Sequence, residues 1–158
     1  MTREHYLYTE FLNVAKMLNN DLRVVPVLYG SLGLSRVTDL DFSPQDIDIL
    51  VPLPFLTTEW ETLQQTMEQL GYTLIDLHEH EFRKDDITIG FSFMEDLEAF
   101  ANVDDQSLHV FEDSGTTFHL LTIADYFKIY SASLQDGYRR TKNNSKDLKK
   151  VKILKTLL

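Results

Sequence analysis

The sequence contains no cysteine among its 158 residues. Disulfides, thiolate metal sites and a cysteine nucleophile are therefore excluded. No apolar run approaches the roughly 18 residues that a membrane-spanning helix needs, so no membrane partner is expected. There is no internal repeat, low-complexity tract or linker, and a single domain spanning 1–158 is expected. That length makes a TIM barrel, which needs roughly 200 residues or more, a poor fit. Neither a G-x-x-x-x-G-K-[ST] phosphate loop nor a G-x-S-x-G nucleophile elbow occurs, which argues against Ser31 as a hydrolase nucleophile. The opening MTREHYLYTEF alternates charged with apolar residues and does not read as a signal peptide. The expectation is a cytoplasmic protein.

Positive charge is also scarce over most of the chain. Formal net charge is -10, from 15 basic and 25 acidic residues. The stretch from Lys128 to Leu158 holds nine basic and two acidic residues, a local balance of +7. Residues 1–127 hold six basic and 23 acidic ones, a balance of -17. A body that acidic repels nucleic acid by its bulk field. An anionic ligand must be held locally, by metal ions or by the basic C-terminal stretch. The plain reading of that stretch is a solvated helix face.

What is present is ordinary for a folded protein: 43% hydrophobic and 25% charged residues. Leu7, Phe11, Val14, Ala15 and Leu18 recur at helical spacing, and Asn19-Asn20 would end that helix. Val24 to Tyr29 reads as a buried strand, with Pro26 an objection to a central position. Residues 32–45 are mixed. Ile47, Ile49 and Val51 alternate with Asp46, Asp48 and Leu50 as a second strand, stopped by Pro52 and Pro54. Thr58 and Glu61 have capping-box spacing ahead of a helix carrying Trp60, Leu63, Met67 and Leu70 on one face, closed by Gly71. Residues 72–83 and 86–94 read as strands joined at Lys84-Asp85-Asp86, and 108–112 and 116–121 as a hairpin around Asp113-Ser114-Gly115. Two helices finish the chain. One starts near Thr122 with Asp125 three residues on, the other near Ser145 with Leu148, Val151, Leu154 and Leu158 inward. The fold class is α/β or α+β, a small mixed sheet flanked by helices.

The stretch most able to carry chemistry is VLYGSLGLSRVTDLDFSPQDIDILV, Val27 to Val51. Asp46 and Asp48 are two apart on an expected strand, so both project from one face. Adjacent carboxylates repel unless something neutralises them. A hard divalent cation does so, and Mg²⁺ takes a few carboxylate oxygens together with substrate phosphate oxygens. Gly30-Ser31 ends the preceding strand, where glycine permits close backbone approach. A helix following it would aim free N–H groups at a phosphate, with the Ser31 hydroxyl as a further donor.

Gly-Ser at a strand end, a loop and a hydrophobic-flanked Asp-x-Asp resemble the signature of the nucleotidyltransferase superfamily related to DNA polymerase beta. That superfamily includes small antibiotic-modifying enzymes and the minimal ones of toxin–antitoxin pairs. The C-terminal LLTIADYFKIYSASLQDGYRRTKNNSKDLKKVKIL is similar to the closing helices of that family, with Lys128 in the first and Lys146-Asp147 in the second. The resemblance implies a single nucleotidyltransferase-like domain. It implies that Asp46 and Asp48 ligate Mg²⁺ or Mn²⁺, that Gly30 and Ser31 hold terminal phosphates of an NTP, and that Lys128 and Lys146 reach phosphate or substrate. The implied reaction moves a nucleotide from an NTP, such as ATP, to a hydroxyl on a small molecule or protein, nucleic acid being the least expected acceptor.

The match departs in two places. Active members usually carry a third carboxylate on a later strand, and the expected strand, Ile87 to Phe93, has Gly90 or Ser92 there. Asp76, Glu79, Glu81 and Glu95 are the substitutes nearby, and the sequence does not choose among them. The loop between Ser31 and Asp46, 14 residues with Asp39 and Asp41, is also slightly long. The missing acid opens an alternative: a catalytically inactive relative that binds nucleotide or another protein. His78 and His80, two apart, would suit a shared zinc but lack a third ligand. His109 and His119 would be partners across a hairpin. Phe91 and Phe93 would fill the inner face of the sheet, with Gly90, Ser92 and Met94 on the other.

Overall fold

A computed structural model describes residues 2–135 and 137–158, and for 135 and 137–145 the backbone alone. The chain opens with α1, Arg3–Leu22, capped by Thr2, whose hydroxyl accepts from His5 N at 3.1 Å. Its apolar stripe of Leu7, Phe11, Val14, Ala15 and Leu18 is buried as the periodicity requires. The helix runs past Asn19-Asn20 to a left-handed cap at Arg23. Asn19 does not stop it because its side chain is engaged elsewhere, with Thr117 N and O and with Val24 O at 2.8–3.0 Å.

Strand β1 is only Val27–Tyr29. Pro26 lies one residue outside the ladder, and its carbonyl still accepts from His119 N at 2.8 Å. This lets β1 occupy a central place despite the proline. The chain turns at Gly30 straight into α2, Gly30–Thr38, so the mixed segment is a helix followed by a loop. Strand β2, Ile47–Val51, follows, and the two prolines end it in a short 3-10 turn, Leu53–Leu56. That turn overrides the expected capping box. Thr57 N and Glu59 N both bond back to Pro54 O, so α3 starts at Trp60 (Trp60–Gln69) without a side-chain cap.

The expected strand over 72–83 is two strands, β3 (Thr73–Asp76) and β4 (Glu81–Lys84). The break is a turn in which Asp76 Oδ1 accepts from Glu79 N at 3.1 Å and His80 takes φ 54°. Strand β5, Ile87–Phe93, leads into α4, Asp96–Ala101, a helix the sequence reading did not anticipate. The hairpin β6 (His109–Asp113) and β7 (Thr116–Leu120) lies where the sequence placed it. His109 and His119 meet through His119 Nδ1 and the His109 carbonyl at 3.2 Å, not side chain to side chain.

Helix α5, Ile123–Gln135, opens with a reciprocal cap: Asp125 N donates to Thr122 Oγ1 at 3.0 Å and Thr122 N to Asp125 Oδ2 at 3.2 Å. Helix α6, Gly137–Leu157, begins well before Ser145. Its inward face is also rotated from the expected one. Asp147 and Leu154 are buried and Lys150 and Val151 half-buried, whereas Leu148 and Leu158 are exposed.

The described strands form one mixed sheet in the order β3-β4-β5-β2-β1-β7-β6. Pairs β1–β7 and β2–β5 are parallel and the others antiparallel. Two apolar cores cover its two faces. One joins α1 and α3 to Ile47, Ile49, Phe82, Ile89 and Phe91. The other joins α4, α5 and α6 to Val27, Leu50 and Met94 through Leu97, Tyr126, Ile129 and Leu154. The protein is thus a mixed α/β domain of helices packed on both faces of a sheet. Among the described residues, no helix is long and apolar enough to cross a membrane.

Candidate functional site

Strand parity sets the site. Asp48 and Leu50 project from the same face of the sheet. Leu50, 3% exposed, lies under the α4–α6 cover, and Asp48 comes two residues earlier, where that cover ends. The buried alternates Ile47 and Ile49 fix the strand from behind. Asp46 stands just before β2, and both acids line the same clefts.

In the β1–β2 ladder Asp48 pairs with Tyr29, the residue before Gly30. Its carboxylate therefore packs directly on the Gly30 turn. A Cβ on Gly30 would collide with Asp48 Oδ2 and lie 3.0 Å from its Cγ. Gly30 also has φ +66°, in the left-handed region. Helix α2 starts here, and Tyr29 at its N-cap supplies no side-chain hydrogen bond. The first N–H groups of the helix and the Ser31 hydroxyl thus share one mouth with the acid pair.

Cations come from α6. Lys150 Nζ donates to Ser31 Oγ at 3.3 Å, across 119 positions of sequence, and lies 4.8 Å from the Tyr130 ring centroid. Lys146, Lys149 and Lys150 share a helix face and line a cleft of about 590 Å³ opposite Asp41, Asp46 and Asp48. A second cleft of about 520 Å³ meets the first at Ser31, Asp48 and Lys150, and its aromatic lining includes Tyr29, Phe93, Phe100 and Tyr130.

Of the residues that the sequence singled out, the fold brings together Gly30, Ser31, Asp46, Asp48 and Lys146. Lys128 does not join them; it is exposed, with Nζ 3.5 Å from Asn102 O. Sequence reasoning missed Lys149 and Lys150. The available signal was their spacing from Lys146, which places all three on one helical face.

The four substitute acids separate as well. Both carboxylate oxygens of Glu95 accept from Leu53 N, at 3.0 and 3.1 Å. Asp76 holds the β3–β4 turn, and Glu79 sits in that turn. Glu79 and Glu81 both line, with Asp46 and Asp48, a small cleft of about 190 Å³, Glu81 from strand β4 and Glu79 from the turn before it. Partial burial, and then the charges of Asp76, Glu79 and Asp46, push the Glu81 carboxyl above the ordinary glutamate range. Burial, and then His78, lower the His80 imidazole, which sits edge-on to Trp60 at 5.0 Å. Among the described residues, no group of three or more histidine, aspartate or glutamate side chains is arranged to hold a metal ion.

These features define a mixed α/β domain whose acid pair, glycine–serine turn and helix-borne lysines share one open face. No family model matches the chain. Over 152 residues it is 57% identical to the uncharacterized protein YnaI of Bacillus subtilis (strain 168), an alignment covering 96% of this chain and 97% of that protein. The chain belongs to the family of YnaI.

Proposed function

We propose that the protein is a cytoplasmic, Mg²⁺-dependent nucleotidyltransferase that moves a nucleotide from an NTP to a hydroxyl of a small molecule or protein. One observation carries this reading: the Asp48 carboxylate occupies the space that a Gly30 side chain would fill, so the acid pair and the phosphate-binding turn form one cradle. Hard oxygen donors at Asp46 and Asp48 suit Mg²⁺ or Mn²⁺, with phosphate oxygens completing the shell. When bound, such a cation neutralises charge on the transferring phosphoryl group. The chain's own groups then have distinct work. Ser31 and the first N–H groups of α2 hold terminal phosphates. Lys150 and Lys146 balance their charge from the opposite wall. The acceptor oxygen forms a bond to the α-phosphorus as the bond to the leaving oxygen breaks, and pyrophosphate departs. The acidic body disfavours nucleic acid as acceptor.

A second reading, a nucleotide-binding or protein-binding relative without catalysis, is favoured by Gly90. It pairs with Asp48 in the position where a third acid is expected. Two measurements separate the readings. Asp48→Asn should weaken MgATP binding, followed by calorimetry, by more than about tenfold, or about 1.4 kcal/mol. The fold should survive, because the change relieves repulsion between Asp46 and Asp48. Parent-like binding by the variant sinks the site assignment. MgATP binding by the parent with no release of pyrophosphate selects the second reading.

A further inference from the structure

The sheet ladder answers the question left by the missing acid. Asp48 on β2 pairs with Gly90 on β5, and Gly90 pairs with Glu81 on β4. Three neighbouring strands therefore carry Asp48, Gly90 and Glu81 in one row, and all three line the same cleft. The middle member has no side chain, and the outer two lean over it. A Cβ built on Gly90 would lie 3.6 Å from Asp48 Oδ1 and 3.7 Å from Glu81 Cγ. Strands stand about 4.8 Å apart, so a carboxylate rooted on β4 must reach across one strand spacing to take the place of one that would grow from β5. Glutamate has one methylene more than aspartate for that reach. An aspartate on β5 and a glutamate on β4 thus bring a carboxylate to the same space from different strands. Glu95 caps Leu53 and Asp76 fixes the turn before β4, whereas Glu79 lines the same cleft from that turn, outside the paired row of Asp48, Gly90 and Glu81.

We propose that Glu81 is the third carboxylate of this site, delivered from β4 across the gap at Gly90 to accept the proton of the attacking hydroxyl. The proposal rests on the nucleotidyl-transfer reading. As the acceptor oxygen bonds to the α-phosphorus, its O–H bond breaks and the proton passes to a Glu81 carboxylate oxygen. The electron pair of the breaking phosphorus–oxygen bond leaves with pyrophosphate. Glu81 then returns the proton to solvent. Asp46 and Asp48 remain the cation-binding pair, so removing the Glu81 charge should change the rate and leave nucleotide binding in place.

The test uses the full chain, MgATP as nucleotide and water as acceptor. It reads MgATP affinity by calorimetry and pyrophosphate release by a coupled assay. Glu81→Gln should keep the MgATP dissociation constant within about twofold and slow pyrophosphate release by about 100-fold or more, the lower range for loss of a general base. Glu79→Gln removes the other glutamate of that cleft, and a loss of release there equal to that of Glu81→Gln overturns the choice of Glu81. The decisive variant adds Gly90→Asp to Glu81→Gln, which puts the acid back on β5. The contacts at Gly90 are ordinary van der Waals distances and its φ is one any residue adopts, so the aspartate is accommodated. Release should recover to within about tenfold of the parent, since general-base contributions are of about 100-fold or more. Parent-like release by Glu81→Gln, equal loss of binding and release, or a double variant as slow as Glu81→Gln overturns the proposal. So does a parent chain that binds MgATP and releases no pyrophosphate. Asp48→Asn judges the cation and nucleotide site separately: if this variant binds MgATP as the parent does, the underlying reading falls whatever Glu81→Gln shows.

Discussion

Two glycines flank Asp48, Gly30 where β1 turns into α2 and Gly90 on β5, and they should respond oppositely to the same substitution. At Gly30 an alanine faces two penalties. The φ of +66° costs an L-residue about 1–2 kcal/mol. The new methyl would also collide with Asp48 Oδ2 and sit 3.0–3.1 Å from its Cγ and Cβ. Asp48 is flexible enough to retreat, so the second penalty falls mainly on the site. At about 2–4 °C per kcal/mol for a chain of this size, Gly30→Ala should lower the melting temperature by about 2–8 °C. Its MgATP affinity should fall with the displaced carboxylate. Gly90→Ala meets only contacts of 3.6 and 3.7 Å and has no strained φ. Filling a strand glycine in that setting should be neutral or stabilising by up to about 0.5–1 kcal/mol. The assay is thermal unfolding by circular dichroism beside calorimetric titration with MgATP. A Gly30→Ala chain that melts and binds like the parent refutes the cradle. Equal losses from the two variants would mean that the face is merely intolerant of side chains.

The remaining predictions concern the fold. Phe11 is fully buried, with its ring centroid 5.3 Å from that of Phe118 and 6.4 Å from that of Tyr8. Phe11→Ala should cost about 3–5 kcal/mol, readable as the shift of a urea midpoint at constant slope. Burial, and then the 2.7 Å hydrogen bond to Asp113, push the Tyr8 hydroxyl up to about 12. The unfolded chain releases that proton near pH 10. The stabilisation is therefore complete below pH 10 and lost as pH rises through about 12. Tyr8→Phe should flatten the fall of the urea midpoint across that window, and parallel curves for parent and variant would discard the assignment. Tyr72, raised by burial and by Glu10, leaves some slope in both chains.

The stripe of α1, the β2 alternation and the β6–β7 hairpin were legible because each rests on a local period. The elements misread were decided by contacts distant in sequence or by competition between neighbours. Asn19 looks like a helix stop, yet its amide is spent on Thr117 nearly a hundred positions away. Thr58 has capping-box spacing, but the 3-10 turn takes the backbone groups first. The Asp46–Asp48 pair and the Gly30-Ser31 turn were legible because strand parity and a strand end suffice to place them. Of their cationic partners, Lys146 was named through the resemblance, and Lys149 and Lys150 were not. A pattern search ranks Leu148, Val151, Leu154 and Leu158 as the inward face of α6, whereas the helix turns Asp147, Lys150, Val151 and Leu154 inward. No periodicity rule favours a lysine over a leucine at a half-buried position, so the spacing from Lys146 offers Lys150 only as a candidate, and the position of α6 against Ser31 identifies it.

That rotation of α6 ties stability to chemistry. Leu154 is fully buried in the α4–α6 core, and Lys150 lies one turn earlier on the same face. A turn rises about 5.4 Å, so the helix leaves its apolar core and reaches the mouth of the site within a single turn. Leu50 and Asp48 make the same transition on β2, from a residue under the cover to one beyond it. The border of the apolar layer therefore meets an acid from the sheet and a base from the helix at one point, with Ser31 bonded to the base. Lys150 is half-buried there, and a partly desolvated charge needs a partner, while Asp48 stands exposed at the border with the opposite charge. Together they are tolerated, and they leave between them a space whose two walls favour opposite charges. A cation with its polyphosphate presents that alternation to both walls at once, and a purely anionic or purely cationic ligand satisfies only one. The uneven charge of the sequence, an acidic body followed by a basic final helix, is the linear trace of this arrangement.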